Sequence, residues 1–374
     1  MRITMSFPVF IMLIALFSNC KDASRARRIQ PDILRSTAEP QKMHRQTGDS
    51  IRFHYIGCGG FLIRYGDEGV LIDPYFSNAD VLLKLRQPLK SDTALIDNFF
   101  VQNVKNARDT EGVVKTILIS HAHHDHLADL PSLLKRNLSL EKLTLIGSKT
   151  MGNLIQSFGF QLDTKRQILN FDSVFTKKNS RSPDMPETGQ YTSQNGRLRI
   201  TAVKSEHAPH LFGIKLPIIS GDVKNIPKSP PQSTLDYKEG VNYNYMIDFL
   251  NTEGGIIFRI FSNAGASANA PIGFPPPSVL AEKKVDVLLL CGASFGQVHG
   301  YPEKLVALIK PEKVFVAHWE DFFTPIPELL KKPRTVPMTN IPKFLTILKK
   351  AMLDNGIDSQ PIIVQPLTPV VVKF

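Results

Sequence analysis

The chain predicts an α/β fold, an αβ/βα sandwich, on three observations. Short apolar, β-branched runs recur in both halves of its 374 residues. Helical stretches are interspersed between them. Side chains able to bind metals stand where such a run gives way to a loop. With 42% hydrophobic residues the chain can bury a sizeable core. No internal repeat or coiled-coil heptad is visible.

The elements follow in order. Ile51-Arg52-Phe53-His54-Tyr55-Ile56 alternates as a first strand, broken by Gly57-Cys58-Gly59-Gly60. Phe61 to Tyr65 and Val70 to Ile72 make a hairpin about Gly66-Asp67-Glu68-Gly69, and Asp73-Pro74 ends it. Residues 79 to 110 predict a helical excursion, either a lid over the site or a packing element. Val113 to Ile119 is a buried strand. Asp129 to Arg136 is a helix, Leu143 to Ile146 a strand and Thr150 to Phe158 a helix, with the alternation running to about residue 172. Residues 176 to 196 predict an exposed loop, and Leu198 to Val203 a strand. Pro217 to Asn242 is a second long loop. Tyr245 to Leu250 and Ile256 to Phe261 form a hairpin. Val285 to Leu290 and Val314 to Ala317 are strands, Pro302 to Ile309 and Pro342 to Leu353 helices. Pro361 to Phe374 supplies one or two closing strands.

The start is a targeting segment. Phe7 to Phe17 is apolar but too short for a comfortable membrane span. Leu16-Phe17-Ser18-Asn19-Cys20 resembles a bacterial lipoprotein signal in which Cys20 is lipidated, although Asn19 replaces the usual small residue. A plain cleaved signal or an uncleaved anchor are the alternatives. The expected division is a signal at 1–19, a lipid-anchored tether at 20–48 and a single folded domain at 49–374, exported and membrane-anchored, at the periplasmic face or outer membrane. The formal net charge is +11. Arg25, Arg27, Arg28, Arg35, Lys42 and Arg45 crowd the tether, where they suit anionic headgroups or simply solvate it. No aromatic-interleaved basic patch is present, so no nucleic-acid partner is expected. Cys58 and Cys291 read as two buried thiols rather than a disulfide.

The decisive feature is His121-Ala122-His123-His124-Asp125-His126. His121, His123, Asp125 and His126 fall within one short run after an apolar strand, so they can converge without bending a regular element. Imidazole and carboxylate are donors that Zn2+ and Fe2+ accept. His124 would point away, to the surface.

With this run the chain resembles the metallo-β-lactamase-fold hydrolases, of the lactonase and phospholipase-D-like branch. The resemblance implies a four-layered αβ/βα sandwich. It implies a first metal site of His121, His123 and His207, with His210 competing for the place of His207 or facing substrate. It implies a second site of Asp125, His126 and His318. Asp73 matches the early aspartate that holds ligands in place. Where the family usually has a bridging aspartate, this chain has Asn263, a weak ligand, a donor to substrate or only a strand-terminal turn residue. Trp319 could line the substrate pocket or belong to the core. Glu320 and Asp321 could support the ligands or be solvated loop charges. Gly292-Ala293-Ser294 lacks the Gly-x-Ser-x-Gly elbow of a serine hydrolase.

The function so implied is metal-dependent hydrolysis. An activated hydroxide would cleave an ester, lactone or phosphodiester bond of a small-molecule or lipid substrate, with Asp125 orienting water and relaying a proton. The cofactor would be Zn2+, one or two ions, or Mn2+ or Fe2+. The alternative is a catalytically silent surface lipoprotein that keeps the fold and binds a ligand or partner. Nothing in the sequence fixes the oligomeric state.

Overall fold

The computed structural model describes residues 50–78, 89–104, 108–109, 112–139, 143–162, 168–170, 188–210, 214–266 and 272–374. The signal, Cys20, the tether and residues 79–88 of the helical excursion lie outside the described residues.

Two seven-stranded mixed sheets form the centre. The first orders its strands β14-β1-β2-β3-β4-β5-β6. Here β1 is Ser50–Gly57, β2 Gly60–Tyr65, β3 Glu68–Ile72, β4 Val114–Leu118, β5 Thr144–Gly147, β6 Ile168–Asn170 and β14 Pro369–Lys373. β14, β1, β2 and β3 pair antiparallel, and β3 to β6 pair parallel. Parallel neighbours need crossovers. Helices Thr93–Val104, Leu130–Arg136 and Lys149–Gln156 supply them. The last begins at Ser148, whose hydroxyl accepts from Met151 N and caps the helix.

The second sheet runs β13-β12-β11-β10-β9-β8-β7. Its strands are β7 Thr188–Thr192, β8 Leu198–Ser205, β9 Asn242–Leu250, β10 Ile256–Asn263, β11 Val287–Cys291, β12 Lys313–Ala317 and β13 Ile362–Ile363. β7 to β10 pair antiparallel and β10 to β13 parallel.

Period-two alternation sorts the side chains. Phe61 and Ile63 join the core between the sheets, with Phe53, Ile72, Tyr245, Phe249 and Phe315. Leu62, one residue along, joins the outer core with Ile117, Leu133 and Leu154. On the far side Leu288, Leu290 and Val316 pack against Leu305 and Val306 of helix Glu303–Ile309 and Phe344 and Leu348 of helix Ile341–Asp354. Helix, sheet, sheet and helix make the four layers. Among the described residues no helix is long and apolar enough to cross a membrane.

Three elements depart from the expectations. β7 lies inside the span read as a loop. It is polar because it is an edge strand held by backbone pairing to β8. Helices Pro277–Glu282 and Ile326–Lys331 are short and proline-flanked, with too few turns to show a period. Cys58 and Cys291 are free and buried, as expected.

β3 and β4 run in one direction, as do β8 and β10, which flank the oppositely directed β9, and β12, which lies beyond β11 in the same direction as β10. Their carboxyl ends carry Asp73, His121, His207, Asn263 and His318.

Candidate metal centre

The loop after β4 is pinned from the opposite sheet. Tyr245 Oη donates to Ile119 O at 2.7 Å, Tyr243 N to Ser120 O at 2.8 Å and Ala122 N to Glu239 O at 2.8 Å. His121 and His123 lie on this extended segment, and the turn of helix His124–Leu127 then presents Asp125 and His126.

Two clusters result. One donor atom each from His121, His123 and His207 lie within 4.8 Å of one another, and so do those of Asp125, His126 and His318. The clusters adjoin, since the His121 and His126 rings are 4.0 Å apart.

Hydrogen bonds settle which nitrogen of each ring in the first cluster is free. Ser120 Oγ donates to Asp73 Oδ2 at 2.6 Å, so it accepts from His121 Nδ1 at 3.1 Å. His121 Nε2 is left buried and unpartnered. Ile219 O faces His123 Nε2 at 3.2 Å, and Ala208 O faces His207 Nδ1 at 2.6 Å. A carbonyl only accepts, so these nitrogens carry the protons and the opposite ones keep their lone pairs. Burial, followed by neighbouring rings, holds His121 and His123 well below the usual histidine value. Burial and then His210 bring His207 to about 4. All three are neutral bases at pH 7, so the residues fit a divalent ion.

The second cluster is charged. Asp125 Oδ2 lies 3.6 Å from both His126 Nε2 and His318 Nε2. Burial pushes Asp125 upward, but His126 and His318 outweigh it and hold the carboxyl well below its usual range. Burial pushes His126 down, but Asp125 and Asp73 bring it above its usual value. Asp73, the expected supporting aspartate, has Oδ2 3.0 Å from His126 Nδ1 and Oδ1 accepting from Ser120 N at 2.7 Å. It therefore braces both clusters.

His318 is held in a left-handed backbone conformation, φ 51°. Its N–H donates to Tyr55 Oη at 2.8 Å, and Tyr55 Oη donates to the Glu320 carboxylate at 2.7 Å. Cys58 N and Trp319 N bind the same carboxylate at 2.6 and 3.1 Å. These contacts offset a backbone strain of about 1–2 kcal/mol.

Asn263, the last residue of β10, is buried. Tyr301 Oη lies 3.0 Å from its Oδ1 and 2.7 Å from Cys291 O. One hydroxyl proton serves one acceptor at a time, and Asn263 Nδ2 has no partner. Turning the amide over lets Nδ2 donate to Tyr301 while Tyr301 donates to Cys291 O, leaving Oδ1 free. His210 stacks on His207 with centroids 4.9 Å apart. It also groups with His123 and Glu239.

One expectation, that for His124, needs correction, and two open alternatives are decided. Trp319 does not line a pocket: it is 2% exposed in the outer core, and Nε1 donates to Val364 O at 2.6 Å. His124 is half-buried rather than on the surface, edge-on to Tyr75 at 6.0 Å. Glu320 and Asp321 are buried, Glu320 as the anchor of Tyr55 and Asp321 as acceptor for Phe323 N and Thr324 Oγ1. The sequence reading missed Ser120, Tyr55 and Glu239. Ser120 adjoins the histidine run, which is a usable signal. Tyr55 and Glu239 stand in unremarkable contexts far along the chain.

Fold and site together define an αβ/βα protein with two adjoining clusters, one of three histidines and one of an aspartate with two histidines, of residue types that suit divalent ions. Residues 69–216 match the family described as the beta-lactamase superfamily domain. Over that stretch the chain is similar to that domain, and its two seven-stranded mixed sheets with flanking helices are an α/β fold. Among solved structures it is similar to Igni18, a metallo hydrolase of the hyperthermophilic archaeon Ignicoccus hospitalis, at 14% identity and TM-score 0.47, over 87% of this chain and 99% of that one. The metallo-beta-lactamase fold protein YhfI of Bacillus subtilis is 14% identical, TM-score 0.42, over 87% and 100%. CmlA, a diiron beta-hydroxylase of Streptomyces venezuelae, is 12% identical, TM-score 0.43, over 88% and 55%. No curated protein matches the sequence.

Proposed function

We propose that this protein is a metal-dependent hydrolase of ester, lactone or phosphodiester bonds in small-molecule or lipid substrates. The observation that carries it is the first cluster: three neutral imidazoles, two buried and His207 half-buried, each with one nitrogen spent on a fixed oxygen and the other lone pair left over. His121, His123 and His207 would hold one ion, and Asp125, His126 and His318 a second. Zn2+ suits this donor set, with Mn2+ or Fe2+ as alternatives. An ion bound there supplies Lewis acidity and lets water act as a nucleophile near neutral pH. Asp125, kept ionised by its two histidines, would orient the attacking water and pass a proton to the leaving group. Asp73 and Ser120 fix the His121 ring, and Tyr55 with Glu320 fixes His318.

Lipidation at Cys20 belongs to the same proposal, since it would keep the domain at a membrane where ester-bearing lipids are met. Its check is release of the Cys20→Ala variant from the membrane fraction.

The test of the activity is metal analysis of the purified protein, then a panel of chromogenic esters, lactones and phosphodiesters with and without chelator. Bound ion and chelator-sensitive turnover are expected. A protein that takes up no ion, or turnover that survives His123→Ala, overturns the reading. A second reading, a binding protein without turnover, is favoured by Asn263 alone. Its neutral amide adds no charge to the second cluster.

A further inference from the structure

His210 lies against the first cluster without belonging to it. Its ring stacks on His207 at 4.9 Å and meets His123 at 5.4 Å. His210, His123 and Glu239 place one donor atom each within 4.8 Å of one another, a third group that by residue type would suit an ion. The hydrogen bonding argues against an ion there. Leu216 N–H donates to His210 Nδ1 at 2.9 Å. A ring that accepts at Nδ1 carries its proton on Nε2 and has no second lone pair to offer. His210 N–H also donates to Ile214 O at 3.0 Å. His210 Nε2 is buried and has no partner. Glu239 is the carboxylate at hand, and its Oε1 already accepts from Lys215 and Asn242 at 3.1 and 2.8 Å. A buried N–H left unpaired costs stability until an acceptor arrives.

We propose that His210 is a substrate-contacting hydrogen-bond donor whose Nε2–H meets the oxygen that gains negative charge when the scissile carbonyl or phosphoryl group is attacked. This deepens the hydrolase reading of the same site and rests on it. No proton is transferred: the neutral ring donates a hydrogen bond that strengthens as charge develops. Stacking on His207 sets the position of the donor by packing, which is the preorganisation such a role requires.

The test uses the full-length protein with Zn2+ added, its His210→Phe and His210→Gln variants, and inorganic phosphate as the oxyanion probe. Phe keeps a flat ring on His207 without the donor, and Gln restores an N–H. In the metal-free parent, nitrogen-15 spectra should show His210 as the Nε2–H tautomer. His210→Phe should keep the parent's ion content and bind phosphate about tenfold more weakly by calorimetry. Its kcat should fall about 10²-fold, with KM little changed, on any substrate turned over. His210→Gln should recover part of each loss. Loss of an ion in His210→Phe would make His210 a ligand and overturn the inference. So would an Nδ1–H tautomer, a parent that ignores phosphate, or equal phosphate affinity in parent and His210→Phe. A parent that binds Zn2+ and phosphate with this dependence on His210 but turns nothing over removes the hydrolase reading and leaves the donor in place.

Discussion

The two clusters touch, yet they are built on opposite electrostatics. His121, His123 and His207 contain no carboxylate. Each spends one N–H on a neutral oxygen, and burial keeps all three rings uncharged. Asp125 stays ionised beside His126 and His318, and His126 is raised above its usual value by Asp125 and by Asp73, a second carboxylate behind it. The first cluster therefore depends on exclusion of water, and the second on mutual attraction. Asp73 serves both, through Ser120 to His121 and directly to His126.

The comparison can be broken in several ways. The largest effect belongs to His123→Ala, which should remove the ion of the first cluster. Turnover should fall at least about 10³-fold, the worth of several kcal/mol of Lewis-acid stabilisation. Metal analysis with single-substrate kinetics checks it, and unchanged ion content would detach His123 from the site. Asp73→Ala should weaken both ions by about 10- to 100-fold, as loss of a supporting hydrogen bond does elsewhere. Titration with Zn2+ against a competing chelator reads this. An effect confined to one ion would show that Asp73 does not couple the clusters.

His54 isolates the desolvation on which the first cluster depends. It lies outside the site, edge-on to Phe99, and burial followed by Arg52 and Arg64 lowers its pKa to about 3. The folded value is below the unfolded one, so the unfolded chain binds the extra proton between about pH 6.5 and 3. Its contribution to stability is thus present above the upper value and lost as pH falls toward the lower one. From pH 6.5 to 5 the cost is about 2 kcal/mol. Urea unfolding of the metal-free protein at pH 7 and pH 5 should show this drop, and His54→Leu should remove about that much of it. Equal pH dependence in the two proteins would mean that His54 is not held neutral. The smallest effect expected is from Asn263→Asp, which adds a carboxylate at the carboxyl end of β10 and should tighten the second ion about tenfold. No change in ion affinity would place Asn263 outside the ligand set.

Much of the fold was legible because strands and long helices repeat. The alternation of Ile51-Arg52-Phe53-His54-Tyr55-Ile56 is visible in one dimension, and so is the periodicity of helix Ile341–Asp354. β7 was not, because Thr188–Thr192 is held by its neighbour's backbone rather than by an apolar face. Of the site, His121, His123, Asp125 and His126 could be read directly, being contiguous after an apolar strand. His207 and His318 needed the added observation that each follows a strand. Trp319 could be placed on either side of its strand end until Val364 appeared opposite its indole.

By itself the sequence determined which side chains can carry lone pairs and at which strand ends they stand, since local patterning is encoded between near neighbours. Only the tertiary structure decided which nitrogen of each imidazole is free, that Asp73 serves both clusters, and that Tyr55 and Glu320, 265 positions apart, clamp His318. Hydrogen-bond partners at such separations leave no period in the chain, and they exist only once the two sheets have closed on each other.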